Sequence, residues 1–298
     1  MKNLIPSDIQ KEINVLYIIG NGFDLAHGMK TSYEDFHLWL TDYGHLYAIK
    51  RLESLYPNLK NEIGRWCDLE SALGIVTLNH AIEYDMNFQE CPDGVNGEDS
   101  SHDAYRCGEN LKNVVDILPS LLRDWVASIT TNDVHPKFEL TKYAKFLSFN
   151  YTRTLEDVYQ IKPNNILHIH ETIIGNRPLV VGYGESRFED EEFIPEDDTI
   201  DVVLIKNLLS HCRKPVDAIL KESTPNNWFK SLSEITSVIV YGHSCSKVDK
   251  PYFETVIRNI KANASWTFYV HDENKNKAIE KFAKSVLKDT MSFEIVNQ

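Results

Sequence analysis

Two glycines one residue apart follow the first apolar run of the chain, in the turn Gly20-Asn21-Gly22-Phe23-Asp24. Between a strand and a helix, small residues let backbone N–H groups approach a phosphate, which the helix dipole also favours. The turn is therefore predicted to bind phosphate, with Gly22 at a positive φ, so that Gly22→Val weakens binding and leaves the fold intact. Because Leu25 stands where a dinucleotide fingerprint has its third glycine, a tight turn without a ligand is the alternative.

A second polar turn, Asn150, Tyr151 and Thr152, follows the apolar run of residues 144–149. Ligands of open α/β sheets lie beyond the carboxyl ends of the strands. We therefore expect Asn150 to face a ligand, with Tyr151 beside it. The alternative is that Asn150 caps the helix that follows.

Two histidines, His168 and His170, alternate along the run ILHIH at residues 166–170, which places both imidazoles on one face of a strand. Imidazole titrates near neutral pH, so His170, at the end of the strand, is a candidate general base. A zinc site needs further Cys or His ligands, and none falls at a familiar spacing. For His168, a hydrogen-bonded core histidine is the better interpretation.

A further strand-end turn contains Gly242, His243 and Ser244, whose small residues allow a ribose to come close. Asp249 follows in the same loop and is a candidate ligand-binding residue. The alternative for Asp249 is an N-cap role, since Lys250 and Pro251 open the next helix.

Two carboxylates, Asp68 and Glu70, lie in a predicted helix, where either can face a cleft. A solvated helix face is the alternative, although Glu70 lies one helical turn from Trp66. The sequence leaves the role of both acids open.

These turns need strands that end at one edge of a sheet. Apolar, β-branched runs predict strands at residues 14–19, 144–149, 166–170, 178–183, 237–244 and 265–271. Helical spacing predicts helices at residues 32–56, 152–160, 201–221, 250–262 and 275–288. This alternation predicts one Rossmann-like α/β domain over residues 1–298, with a mainly parallel sheet, helices on both faces and a helical insertion at about 58–135.

The chain carries 31 Lys and Arg against 44 Asp and Glu, a formal net charge of −13. This charge opposes binding to nucleic acid and to anionic lipid, so neither is an expected partner. No apolar stretch approaches the roughly 20 residues of a membrane span, and the N-terminus has no signal-peptide core, which predicts a cytoplasmic protein. The five cysteines form no CxxC pair, so free thiols are expected.

Taken together, the motifs resemble the AbiH family of bacterial phage abortive-infection proteins, over nearly the whole chain. The resemblance is carried by YIIGNGFDLAHGMKTSYEDF (17–36), WCDLESALG (66–74), FLSFNYTRTLEDVY (146–159), ILHIH (166–170), VVGYG (180–184) and VIVYGHSCSKVDKPYF (238–253). It implies an antiphage defence protein, with a phage-derived trigger or another defence protein as partner. The oligomeric state stays open, a homo-oligomer included.

More distantly, the order of the motifs is similar to that of sirtuin-like NAD-binding proteins. That resemblance implies NAD or a related nucleotide as ligand or substrate, with phosphate at residues 20–24 and the nicotinamide-side ribose at Asn150. It further implies that His170 is the general base and that Gly242, His243 and Ser244 contact ribose. The strand end Val270-His271-Asp272 would lie near adenine.

Two residues depart from the sirtuin-like pattern. Glu171 stands where that superfamily has glycine, and Thr152 stands where many relatives have Asp. No zinc-binding cysteine quartet is present, so neither a metal nor a sirtuin-type deacetylase is expected.

The sequence thus favours a defence effector that binds NAD or a related nucleotide and cleaves its N-glycosidic bond. Asn150 and His170 would carry the reaction, with Asp24 or Glu70 stabilising positive charge in the transition state. The alternative is a nucleotide-sensing or partner-binding module without turnover. A nuclease ranks last, because the carboxylates are too scattered for a metal site.

Overall fold

The computed structural model describes residues 14–60, 66–67, 69–74, 116–184, 210 and 212–297. The strands are β1 (Val15–Ile19), β2 (Lys145–Ser148), β3 (Ile166–His168), β4 (Ser237–Tyr241), β5 (Ser265–Val270) and β6 (Phe293–Asn297). The α-helices are α1 (Asn21–Ala26), α2 (Tyr33–Asp42), α3 (Leu46–Leu55), α4 (Leu69–Ala72), α5 (Leu118–Ser128), α6 (Thr154–Asp157), α7 (Val216–Lys221), α8 (Ser223–Lys230), α9 (Lys250–Asn259) and α10 (Asn276–Val286).

All six strands form one parallel sheet in the order β3-β2-β1-β4-β5-β6. The central strand β1 pairs through Ile18 with Leu147 on one side and with Val240 on the other. This is the strand order of a doubly wound nucleotide-binding fold, in which the order reverses between β1 and β4. The predicted Rossmann-like α/β class with a parallel sheet is confirmed.

Helices cover both faces of the sheet. On one face, Tyr17 and Phe146 pack with Phe23 of α1 and Leu155 of α6 in a buried apolar cluster. On the other face, Phe253 of α9 packs against β5 and α10 through aromatic ring contacts. Burial of aromatic and aliphatic side chains on both faces explains why the strands are nearly continuous apolar runs.

The chain divides into two compact units. The first comprises Met1–Thr31, Val126–Arg177 and Pro215–Gln298 and contains the sheet; the second comprises Ser32–Trp125 and Pro178–Lys214. No finding tests the single-domain prediction, which stays a prediction. The described part of the predicted insertion is helical in α4 and α5, whereas residues 61–65, 68 and 75–115 lie outside the described residues.

In the second unit, hydrogen bonds between Ser32 and Asp35 cap the start of α2. The Ser32 hydroxyl accepts a hydrogen bond from the Asp35 backbone N–H, and the Asp35 side chain accepts one from Ser32 in return, which makes a capping box. The helix predicted for residues 32–56 is two helices, because Gly44 adopts φ 79° and ends the first of them.

The strand predicted for residues 178–183 is wrong. Within this segment only Tyr183 pairs, in an isolated bridge with Arg213. Gly182 has φ 154°, and a side chain there would collide with the Cys212 carbonyl. The segment is β-branched in composition, yet among the described residues its pairing is limited to this bridge with the segment at 212–214.

Other boundaries shifted. The sequence did not predict β6 or α8, and α6 is shorter than the helix predicted for residues 152–160. Of the helix predicted for 201–221, residues 201–209 and 211 lie outside the described residues.

The described cysteines, Cys67, Cys212 and Cys245, are free thiols as predicted. No helix of the described segments combines the length and the hydropathy needed to cross a membrane.

Candidate functional site

The loops that follow β1, β2, β3 and β4 meet at one edge of the sheet. Gly22 of the β1 loop donates its N–H to the Gly242 carbonyl of the β4 loop at 2.9 Å. Phe149, after β2, lies edge-on to both His170 and His243, with ring centroids 5.2 and 4.3 Å away. The convergence expected of the four predicted turns is therefore present.

The glycines of the β1 turn are needed for packing. A Cβ at Gly22 would lie 2.7 Å from the Gly242 Cα, and one at Gly20 would lie 2.5 Å from the His243 Cα. Gly242 itself has φ 60° and approaches the Gly22 backbone equally closely. The predicted positive φ at Gly22 is wrong, because the described positive-φ glycines are Gly28, Gly44, Gly182 and Gly242.

Two backbone donors of the turn already have partners. The Gly20 N–H donates to the Tyr241 carbonyl, as the Gly22 N–H does to the Gly242 carbonyl. The exposed Asn21 donates through Nδ2 to the Thr31 carbonyl at 2.7 Å. The Phe23 side chain is buried against Phe138 and Tyr159. Phosphate binding at residues 20–24 stays a prediction, but the close contact with the β4 loop explains both glycines without a ligand.

Asp24 is the most deeply buried polar residue of this edge, with no exposed surface. The Thr152 hydroxyl donates to its Oδ2 at 2.5 Å. Burial raises the pKa of Asp24 from 3.8 to about 6, while Thr152, Thr154, Asn150 and the charge of His168 act in the opposite direction. A carboxylate in this environment can exchange a proton near neutral pH.

Asn150 is buried, and the end of β3 holds its backbone. His168 Nδ1 lies 3.3 Å from the Asn150 carbonyl oxygen, and His168 Nε2 lies 3.1 Å from Glu156 Oε1. Both neighbours are acceptors, so only the doubly protonated ring donates to both. Burial raises the pKa of Glu156, but the hydrogen bond and charge of His168 outweigh it and hold that pKa below its usual value.

His170 does not share a face with His168. β3 ends at His168, and the chain then turns, so that His168 contacts Glu156 of α6 whereas His170 packs against Tyr252 of α9 at 5.8 Å. The same-face prediction is therefore wrong. His170 is 3% exposed, and its role as general base stays a prediction.

The β4 loop is internally bonded. His243 Nδ1 accepts from the Cys245 N–H at 2.9 Å, and its Nε2 lies 3.5 Å from Asp249 Oδ2. Asp249 occupies the N-cap position of α9 but makes no capping hydrogen bond, because its Oδ2 accepts from the Ser246 hydroxyl instead. Ser244 is exposed. Any ribose contact of this loop would involve Ser244 or the backbone.

Tyr151 is half-buried, and His271, just after β5, is exposed. Glu171 adopts φ 68°, a left-handed conformation typical of the glycine that the sirtuin-like resemblance implies there.

Of the two acids near Trp66, Asp68 lies outside the described residues. In the second unit, Glu70 accepts hydrogen bonds from the Tyr33 hydroxyl at 3.1 Å and from Lys214 Nζ at 2.9 Å. Glu70 is therefore paired with a buried lysine, and the explanation that it lies on a solvated helix face is wrong.

Sequence reasoning missed Thr154 and Glu156, and it noted Thr152 only as a departure from a pattern. Thr152 donates to Asp24, Thr154 lies 3.2 Å from the Thr152 hydroxyl, and Glu156 pairs with His168. The spacing FNYTRTLE was available, but it resembles the start of a helix. In the described residues, no three His, Cys, Asp or Glu side chains are grouped so as to hold a metal ion.

The family profile described as "Bacteriophage abortive infection AbiH" matches residues 16–270. The chain belongs to the AbiH family. No curated protein and no solved structure matches it. Membership of AbiH places the protein among those of phage defence by abortive infection, and the matched range covers β2 to β5 and all of β1 but its first residue.

Proposed function

We propose that this AbiH protein binds NAD or a related nucleotide at the β1–β4 edge of its sheet and hydrolyses the N-glycosidic bond, which depletes the nucleotide in an infected cell. The observation that carries the proposal is the buried cluster of Asp24, Thr152 and Asn150 at this edge. The sheet supports it, because ligands of doubly wound folds bind beyond the carboxyl ends of the parallel strands, where this cluster lies.

The chemistry follows from the charge that develops. Cleavage breaks the bond between the ribose C1′ and the nicotinamide nitrogen; nicotinamide leaves with the electron pair, and a water oxygen bonds to C1′. The ribose gains positive charge on the way, which an ionised carboxylate such as Asp24 stabilises in a site screened from water. Asn150 would orient the ribose, and His170 would accept the proton of the water.

The test is release of nicotinamide from NAD by the purified protein, with and without phage lysate, followed by chromatography. Wild type is expected to release nicotinamide, and Asp24→Asn and His170→Ala to do so roughly 10²–10⁴-fold more slowly. Thermal melting must show that both variants fold. A folded His170→Ala variant that turns over NAD as wild type does would contradict the base role. No release under any trigger would contradict the reaction.

A nucleotide sensor without turnover is the second candidate, and a specific observation favours it. The backbone donors of Gly20 and Gly22 bond to the β4 loop, and His170 is enclosed by Phe149 and Tyr252. A ligand would then have to separate the β1 and β4 loops. This change of conformation would signal that the ligand is bound. Binding of NAD without release of nicotinamide, together with loss of protection in a binding-deficient variant, would select this function.

A further inference from the structure

A narrow buried pocket lies where α1 and the β2 loop meet. Its polar wall is formed by Asp24, Ser148, Asn150, Thr152 and Thr154, and its apolar wall includes Phe23. Asp24 and Asn150 are each less than one-tenth exposed. The pocket lies within the first unit.

Two oxygen atoms of this pocket have no donor. Among the residues that the structure describes, neither Oδ1 of Asp24 nor Oδ1 of Asn150 accepts a hydrogen bond. Around them, Thr152 donates to Asp24 Oδ2, and the Ser148 hydroxyl accepts from the Asn150 N–H. Buried acceptors are normally paired, so two in one pocket indicate a ligand that donates hydrogen bonds.

This donor preference excludes phosphate from the pocket. A phosphate presents acceptor oxygens and negative charge, and it would face the Asp24 carboxylate and an amide oxygen at close range. The N–H groups of Gly20 and Gly22, which would have offset that repulsion, already bond to the Tyr241 and Gly242 carbonyls. A pair of neighbouring hydroxyls, as on a ribose, supplies two donors without adding negative charge.

We propose that Asp24 and Asn150 form an acceptor subsite for the hydroxyls of a ribose, and that the phosphates of the nucleotide bind outside this pocket. The proposal rests on the proposed function for the identity of the ligand as a nucleotide. It reverses the role of Asp24, from a member of a phosphate turn to a residue that recognises sugar.

The test separates sugar from phosphate with three probes, each titrated calorimetrically: NAD, nicotinamide riboside, which has the diol without a pyrophosphate, and inorganic pyrophosphate. Asp24→Asn keeps the shape of the side chain, and the Thr152 hydroxyl can still donate to its amide oxygen, which turns the N–H₂ donor towards the pocket. Nicotinamide riboside and NAD should then bind roughly 10- to 100-fold more weakly, since a hydrogen bond to a charged acceptor is lost. Pyrophosphate should bind unchanged or more tightly.

Asp157→Asn is the matched control. It makes the same carboxylate-to-amide change on an exposed residue of α6, and it should alter none of the three affinities. If Asp24→Asn does not fold, Asn150→Ala removes the other acceptor, and it should weaken nicotinamide riboside roughly 2- to 10-fold.

The outcomes distinguish this subsite from the proposed function. If wild type binds nicotinamide riboside, depends on Asp24 and never cleaves NAD, the subsite stands and the reaction fails. If NAD is cleaved and Asp24→Asn binds nicotinamide riboside as wild type does, the subsite is wrong and the reaction stands. Tighter binding of every probe by Asp24→Asn would mark a phosphate site. No binding of any probe at millimolar concentration overturns both.

Discussion

The loops after β1 and β2 differ from the loop after β4, although all three follow apolar strands and contain small polar residues. In the loops after β1 and β2, Asp24 and Asn150 are buried, and each has one side-chain oxygen that accepts no hydrogen bond from a described residue. In the β4 loop, both His243 nitrogens and Oδ2 of Asp249 face partners of the loop itself. Similar sequence patterns thus produce side chains bonded across two loops in one region and within a single loop in the other.

The difference teaches that residue type at a strand end does not assign a role. His243, predicted to contact a ribose, faces Cys245 and Asp249 of its own loop, and the ribose contact stays a prediction. Thr152 looked like a departure from a family pattern and donates to the buried carboxylate. What distinguishes the two regions is where the hydrogen bonds go. Thr152 bonds across to Asp24 of another loop, whereas the bonds of His243 stay within the β4 loop, and that difference depends on tertiary packing.

The largest effect expected at this edge is structural and belongs to the β4 loop. Gly242→Ala forces a side chain onto φ 60° and places its Cβ 2.4 Å from the Gly22 carbonyl carbon. The free energy of unfolding should fall by about 3 kcal/mol, measured by denaturant titration. Gly28→Ala is the control, because Gly28 has φ 77° with no atom near its Cβ position; it should lose only about 1 kcal/mol. Equal losses would show that the loops do not pack as described.

The next effect concerns Asp24 and depends on pH. Its pKa is raised from 3.8 to about 6 in the folded protein, so between these values the folded state holds a proton that the unfolded state has released. The stability contributed by Asp24 is therefore complete below about pH 4 and is lost as pH rises through 6. Over this range, the free energy of unfolding of Asp24→Asn should rise relative to that of wild type by about 2–3 kcal/mol. A difference in unfolding free energy that stays constant from pH 4 to 7 would contradict the raised pKa.

A smaller effect is expected from the His168–Glu156 pair, with the opposite sign in pH. The pKa of Glu156 is held below its usual value. The stability that Glu156 contributes is therefore present when the pH is above the usual pKa, and it is lost as the pH falls through the folded-state pKa. Glu156→Gln should lower the unfolding free energy at pH 7 by about 1–2 kcal/mol. The loss should shrink on acidification. Asp157→Gln, on the same helix and exposed, should cost less at every pH.

The smallest effect sharpens the comparison most directly. Ser244→Ala removes an exposed hydroxyl of the β4 loop, so the melting temperature should hardly change, with less than about 0.5 kcal/mol lost. If the β4 loop only supports the site, affinity for nicotinamide riboside should also stay as in wild type. A clear loss of affinity in the folded variant would return this loop to the ligand site.

The sheet was predictable because its strands are apolar, β-branched runs that end in polar turns. The runs at 14–19, 144–149, 237–244 and 265–271 each contain a strand of the structure. β6 was missed because FEIVN alternates at an edge and is only half-buried. The segment at 178–183 has strand composition, but its pairing depends on the Gly182 backbone and on residues far along the chain.

The candidate site was predictable in position and not in detail. Strand ends placed Asn150 and Gly20–Asp24 at one edge, since parallel strands bring their carboxyl ends together. The sequence could not reveal that Gly22 packs on Gly242 or that His170 turns away from His168. The first contact joins residues more than a hundred positions apart, and the second depends on where a strand stops. Neither follows from local spacing.

The position of β1 also has a consequence for how the chain folds. Ile18 pairs with Leu147 and Val240, roughly 130 and 220 residues further along the chain, and such long separations slow folding. During synthesis the apolar strand β1 emerges first and stays without either partner until β2, and later β4, has left the ribosome. Over that interval it is an unpaired, aggregation-prone segment, so production of this protein should depend on chaperone capacity as well as on final stability.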